Sequence, residues 1–295
     1  MERLRGIYPA LLTPMKSGGQ IDFAELEKLV DWLFGQGVHG LYVGGTSGEG
    51  LLLEPSEREE IVALVVRLSR GRGKVMVHVG AIGTAEAVQL AQHAERHGAD
   101  AIAAVPPFAF GRNLAGISAH YSAIAHSCEL PLYLYNIPSL TAVNLRADDI
   151  ARLAKLPNVC GLKFSDYDLF EEFRIISLEN KLDVFHGCDE TLLYALMMGA
   201  VGGVGLLYNI MPKTILAIYD AFLAGDWKKA NDHQLKLSAF TNVFLRHAEG
   251  SAVGLAKGVM GGLGFACGQA RSPNPPVSRE SIERTIELAR PFWSG

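Results

Sequence analysis

A chain of 295 residues with 49% apolar side chains and 32 glycines has the material for one large core crossed by many tight turns. Its formal charge of −4, with acidic and basic residues mixed along the chain, gives no electrostatic case for nucleic acid or an anionic membrane as partner. Cys128, Cys160, Cys188 and Cys267 form no CxxC pair, which argues against a disulfide framework or a zinc ribbon and for a reducing, cytoplasmic setting; the opening MERLRGIYPALLTP lacks the apolar stretch of a secretory signal.

Taken in chain order, short β-branched runs alternate with amphipathic helical patterns. Strands are predicted over 6–13, 40–44, 74–80, 101–105, 132–135, 159–164, 183–186 and 202–205. Helices are predicted between them over 23–36, 55–69, 84–97, 116–127, 146–155, 169–178, 190–198 and 213–224. Eight βα units in one chain approach the ~250 residues of a (β/α)8 barrel, here spanning 1–225. The remaining segment, 226–295, reads as helical throughout and is expected to form a C-terminal helical region. A doubly wound sheet would show the same alternation, but its GxGxxG marker is absent after the first strand, where the chain reads LTPMKSGGQ. The uncharged run 191–212 is long enough to span a bilayer, yet its four glycines divide it into a core helix and a buried strand.

In such a barrel the chemistry is carried at the C-terminal ends of the strands. Lys163 ends the apolar strand NVCGLKF, where burial disfavours the ammonium and frees an amine to attack a carbonyl. Tyr135 ends the preceding strand, PLYLYN, and offers a phenol for proton transfer beside that amine. The loop GGTSGEG after the second strand brings Gly45, Thr46 and Ser47, a small-residue turn whose hydroxyls and amides suit a carboxylate, with Glu49 organising the loop. Ser165, Gly187, Asp189 and Glu190 complete the strand-end set of substrate-binding candidates. A metal-dependent mechanism would need several ligands. His93 and His97 are spaced i,i+4 but fall opposite the stripe Ala87, Ala91 and Ala94, and are read as a solvated face. His78 and His186 lack an HxH partner, and Lys257 on a late helix is read as structural. No metal and no cofactor are expected.

GGTSGEG, YNIP at 135–138 and GLKFSD at 161–166, each at the matching barrel position, together resemble the dihydrodipicolinate synthase/N-acetylneuraminate lyase superfamily of pyruvate aldolases. The likeness extends to the turn SGGQID at 17–22 and to the helical tail. It implies a cytoplasmic homotetramer that takes pyruvate and an aldehyde, or their aldol product. It further implies a Schiff base on Lys163, proton transfer through Tyr135 and a carboxylate site at Thr46 and Ser47.

Within the superfamily, GLYVGGTSGEG, YNIPSLT, HGCDE and YNIMP look closer to N-acetylneuraminate lyase and the 2-keto-3-deoxy sugar acid aldolases. The arginine that the synthases carry shortly after the tyrosine is Leu140 here. The Gly-x-Asp-Glu run that contacts sugar hydroxyls in the lyases is present as Gly187, Asp189 and Glu190. Two positions depart from the lyases: Leu206 replaces a serine after the eighth strand, and Ala109 replaces a loop tyrosine. The other readings left open are dihydrodipicolinate synthase, a hydratase-aldolase or dehydratase of the same superfamily, and a barrel that only binds a ligand.

Overall fold

A computed structural model describes residues 3–179 and 181–293. Among the described residues eight parallel strands pair in chain order: β1 (Gly6–Pro9), β2 (Gly40–Val43), β3 (Lys74–His78), β4 (Ala101–Ala104), β5 (Leu132–Asn136), β6 (Val159–Phe164), β7 (Asp183–His186) and β8 (Gly202–Gly205). β8 also pairs with β1, and the Ala10–Tyr42 bridge joins β1 to β2, so the sheet closes into a (β/α)8 barrel. The helices outside it are α1 (Phe23–Gly35), α2 (Pro55–Ser69), α3 (Thr84–His97), α4 (Leu114–Ala125), the short α5 (Pro138–Thr141), α6 (Ala147–Leu153), α7 (Leu169–Ile176), α8 (Leu192–Met198) and α9 (Pro212–Leu223). Three more follow: α10 (Trp227–His247), α11 (Ala252–Met260) and α12 (Arg279–Ala289).

Two apolar layers hold this together. Leu, Ile, Val and Ala on the outer faces of the strands pack against the helices, while Tyr8, Tyr42, Met76, Tyr133, Tyr135 and Phe185 fill the barrel interior. Glycine makes room for the large rings. A Cβ at Gly40 would lie 2.2 Å from the Tyr8 ring, and one at Gly161 would lie 2.3 Å from the Tyr133 ring. Local caps set the helix starts. Pro55 occupies the first turn of α2 behind a Glu54–Glu57 capping box, and Asn113 accepts from the Gly116 amide, so that α4 begins at Leu114, ahead of the predicted 116.

Several predicted strands end early. Residues 11–13, 79–80 and 105 leave the parallel ladder at the barrel mouth, where Thr13 turns aside to donate to the Gly48 carbonyl. The C-terminal segment is not helical throughout. Residues 264–278 form an irregular strap, because Arg271 is drawn onto the Glu57 carboxylate and the carbonyls of Gly19 and Leu52 while Cys267 accepts from the Met15 amide. The uncharged run 191–212 folds as α8, β8 and a 3-10 turn at Leu207–Asn209; among the described residues no helix is long and apolar enough to cross a membrane.

Candidate active site

β5 and β6 pair with Tyr135 directly opposite Lys163. Both side chains are buried at the barrel mouth, Lys163 at 5% exposure and Tyr135 at 2%. The Lys163 ammonium stands 4.2 Å from the centre of the Tyr135 ring and 4.3 Å from that of Tyr42, whose own ring meets Tyr135 edge-on at 6.0 Å. Among the described residues no carboxylate forms an ion pair with Lys163; the faces of two phenols take that place. A side chain held there is next to a phenol and open to a cavity of about 370 Å³.

One wall of the cavity is the loop after β2, which lines it with Thr46 and Ser47. Its shape is dictated by backbone crowding. Gly44 has φ +73°, Glu49 sits in the left-handed region at φ 58°, and a Cβ at Gly50 would lie 1.8 Å from the Gly44 oxygen. Bonds from the Glu49 amide to the Thr46 carbonyl at 3.0 Å and from Thr13 to Gly48 at 2.7 Å close the turn. No described residue accepts from the backbone N–H or the hydroxyl of Thr46 or Ser47, so four donors remain available at the cavity wall. Behind the loop, Glu49 is buried and bound by Lys257 and by the Arg271 amide, as befits a group that organises the turn.

The opposite wall is made by Ser165, Gly187, Cys188, Asp189, Glu190 and Leu206. Gly187 is needed for its small size: a Cβ there would lie 2.0 Å from the Ser165 hydroxyl. Asp189 begins a 3-10 turn, Asp189–Thr191, which takes over the start of the helix predicted from 190. Its carboxyl accepts from the Leu207 amide at 2.7 Å, and its carbonyl accepts from Gln234 at 3.2 Å. Burial pushes the Asp189 carboxyl up to about 7, with Glu190 adding to the effect while the Leu207 amide, Lys163 and His186 oppose it. Glu190 accepts from the phenol of Tyr167, which lies at the cavity rim, and this bond raises the Tyr167 phenol above its ordinary range. The lining therefore carries two acidic side chains and a single cation, Lys163.

Eight of the nine predicted site residues line this one cavity. Gly45 does not; its Cα lies against the Tyr42 ring, where a Cβ would be 2.4 Å from the nearest carbon. His93 also departs from expectation: it is buried at 7% exposure, its ring 4.2 Å from that of His97, because the apolar face of α3 extends past the alanine stripe. His186 is held between Glu172 at 2.9 Å and Thr191 at 2.8 Å beneath the acidic wall. Among the described residues, no three His, Cys, Asp or Glu side chains form a group able to hold a metal ion. Sequence reasoning missed Tyr42, whose place at the end of an inward-facing alternation was its signal, and Thr241, Phe244, Leu245 and Ala252, which α10 and α11 bring over the cavity.

Comparison with known proteins agrees with this geometry. Residues 3–289 match the dihydrodipicolinate synthetase family. The chain is 38% identical over 244 residues, 82% of its own length and 82% of theirs, to the N-acetylneuraminate lyases of Citrobacter koseri and Salmonella typhimurium. Its fold matches the sialic acid aldolase of Ruminococcus gnavus with a TM-score of 0.93 at 27% identity, covering 98% of this chain and 97% of that one. It matches a dihydrodipicolinate synthase of Bacillus anthracis with a TM-score of 0.92 at 28% identity, covering 100% and 99%. The chain thus belongs to the dihydrodipicolinate synthetase family and is a class I pyruvate lyase, a carbon–carbon lyase of the aldolase type.

Proposed function

We propose that the chain cleaves, or in reverse forms, a 2-keto-3-deoxy sugar acid or related 4-hydroxy-2-oxo acid through a Schiff base on Lys163. The observation that carries this reading is the pairing of Lys163 with Tyr135 across β6 and β5, with the ammonium 4.2 Å from the phenol ring. In cleavage, the Lys163 amine adds to the C2 carbonyl of the oxo acid, and loss of water from the carbinolamine gives the imine. Tyr135, left as phenolate once it has given its proton to the hydroxyl that leaves the carbinolamine as water, takes the proton from the C4 hydroxyl; the C3–C4 bond breaks, and the aldehyde departs while the electron pair moves into the enamine. Protonation at C3 and hydrolysis then release pyruvate and regenerate the amine. The unpaired donors of Thr46 and Ser47 hold the substrate carboxylate throughout.

The cavity wall favours a neutral acceptor. A second carboxylate, as in aspartate semialdehyde, would need a cation, and Lys163 is committed to the first reactant. Leu140 cannot supply one and is an exposed residue off the cavity wall. Asp189 and Glu190 suit hydroxyl groups instead. The curated relatives named N-acetylneuraminate lyase support the same choice of sub-family. A homotetramer and a cytoplasmic location belong to this reading, and the exposed apolar side chains Phe170, Phe173, Met197 and Leu235 suit assembly. A panel of 2-keto-3-deoxy sugar acids scored by pyruvate release tests the activity, with sedimentation velocity reporting the assembly. Release from none of the panel would overturn the substrate class.

A further inference from the structure

The end of β3 carries a histidine that the proposed chemistry does not use. His78 is 3% exposed, and its ring stands at 90° to that of Tyr135 with centroids 5.8 Å apart. The Tyr42 ring is 6.2 Å away, so His78 abuts both phenols that flank the Lys163 ammonium. Its Nδ1 lies 3.1 Å from the carbonyl oxygen of Gly44, a contact that is attractive only when Nδ1 bears the proton. Burial lowers His78 to about 3, with Arg58 and Lys163 adding to the effect, so the imidazole is neutral at working pH and a very weak base.

From outside the barrel, Arg58 of α2 is itself buried and donates through Nη2 to the His78 carbonyl at 2.8 Å. Glu86 of α3 lies 3.7 Å from the same guanidinium. The backbone of His78 is therefore fixed from one side while its ring grips the loop after β2 on the other. The Gly44 carbonyl that it grips has little freedom, since Gly50 packs so closely on it that a Cβ would fall 1.8 Å away. A peptide unit is planar, so fixing the Gly44 carbonyl also fixes the direction of the Gly45 N–H, the entry to the segment that presents Thr46 and Ser47.

We propose that His78 is a positioning residue: as an Nδ1–H donor to Gly44 it sets the loop bearing Thr46 and Ser47, and as a ring packed on Tyr135 it holds the phenol in register with that loop about Lys163. The proposal rests on the Schiff-base reading above. Asparagine places an amide N–H where Nδ1 stands, glutamine carries it one bond farther out, and leucine carries none.

The three variants are compared with wild type by borohydride trapping of pyruvate read by intact mass, by turnover of the best oxo acid, and by thermal unfolding. His78→Leu should raise the half-saturating pyruvate concentration for trapping roughly ten-fold and lower kcat by at least as much, the scale of one lost hydrogen bond and a displaced proton donor. His78→Gln should resemble it, and His78→Asn should restore both quantities to within about three-fold of wild type. If the leucine variant does not fold, the contrast between asparagine and glutamine decides by the same criteria. A wild-type adduct, with all three variants matching wild type in pyruvate dependence and kcat, would overturn the positioning role alone. Equal impairment of the asparagine and leucine variants, accompanied by a lowered Tm, would reduce His78 to packing and overturn it also. No adduct on the wild-type chain would overturn the Schiff-base reading and this proposal with it.

Discussion

Glu49 and Lys257, 208 positions apart in sequence, form an ion pair at 2.5 Å with both side chains shut away from solvent. The second carboxylate oxygen of Glu49 takes the Arg271 amide, and the Lys257 ammonium also donates to the Gln269 carbonyl at 3.1 Å. The turn that presents Thr46 and Ser47 is thereby fastened to α11 and to the strap that follows it. Lys257→Met would leave a buried carboxylate without its cation, a loss of about 3–5 kcal/mol in unfolding free energy by urea titration. The half-saturating pyruvate concentration should rise along with that loss. Adding Glu49→Gln to Lys257→Met should recover part of the stability, since no buried charge is then left unpaired.

Proton transfer and carboxylate binding separate by mutation. Tyr135→Phe removes one hydroxyl from a buried ring, so the melting temperature should hold while kcat falls by roughly 10²-fold or more. Thr46→Ala and Ser47→Ala should chiefly raise KM for pyruvate in the condensation direction. An unchanged kcat for Tyr135→Phe would assign the proton to another group.

The pH dependence of stability should carry a signature of Asp189. Its carboxyl is raised from the ordinary 3.8 to about 7 in the folded chain, mainly by burial. Between these values the folded state holds a proton that the unfolded state has released, so the contribution of Asp189 is fully present below pH 4 and lost as pH rises through 7. Asp189→Asn retains an acceptor for the Leu207 amide but cannot ionise. Relative to wild type, the variant should therefore gain in unfolding free energy as pH goes from 5 to 8. A difference that stays flat over that window would show that Asp189 ionises normally in the fold.

Much of this was legible in the chain. β6, β7, β8, α2 and α3 run over the predicted residues, because turn residues or a capping box punctuate their apolar runs sharply. β1, β3 and β4 were read too long since Leu11, Leu12, Val79 and Val105 are buried after leaving the ladder; hydrophobicity reports burial and is silent on pairing. Lys163 and Tyr135 could be placed together from adjacent strands. Tyr42 could not, because β2 meets β5 and β6 only across the closed barrel interior. The roof residues Phe244 and Ala252 were likewise hidden, as nothing local in 226–295 states which way those helices fold back.

Acceptor choice follows from the charges on the cavity wall. With Lys163 as the lone lining cation and Asp189 and Glu190 opposite, a neutral hydroxy-aldehyde should condense with pyruvate, whereas aspartate semialdehyde should react negligibly. Product formation from both acceptors, measured on the same purified protein, checks the expectation. Efficient condensation with aspartate semialdehyde would move the chain to the synthase side of its family and leave the barrel and Lys163 unaffected.

The covalent role proposed for Lys163 stands or falls on peptide mapping after reduction. Incubation with pyruvate and borohydride should add one reduced pyruvate per subunit, located on the peptide containing Lys163, and prior treatment with EDTA should change neither the adduct nor turnover. Lys163→Ala should keep the fold and lose the adduct. An adduct that persists in Lys163→Ala, or one that maps to another lysine in the wild-type chain, would contradict the assignment.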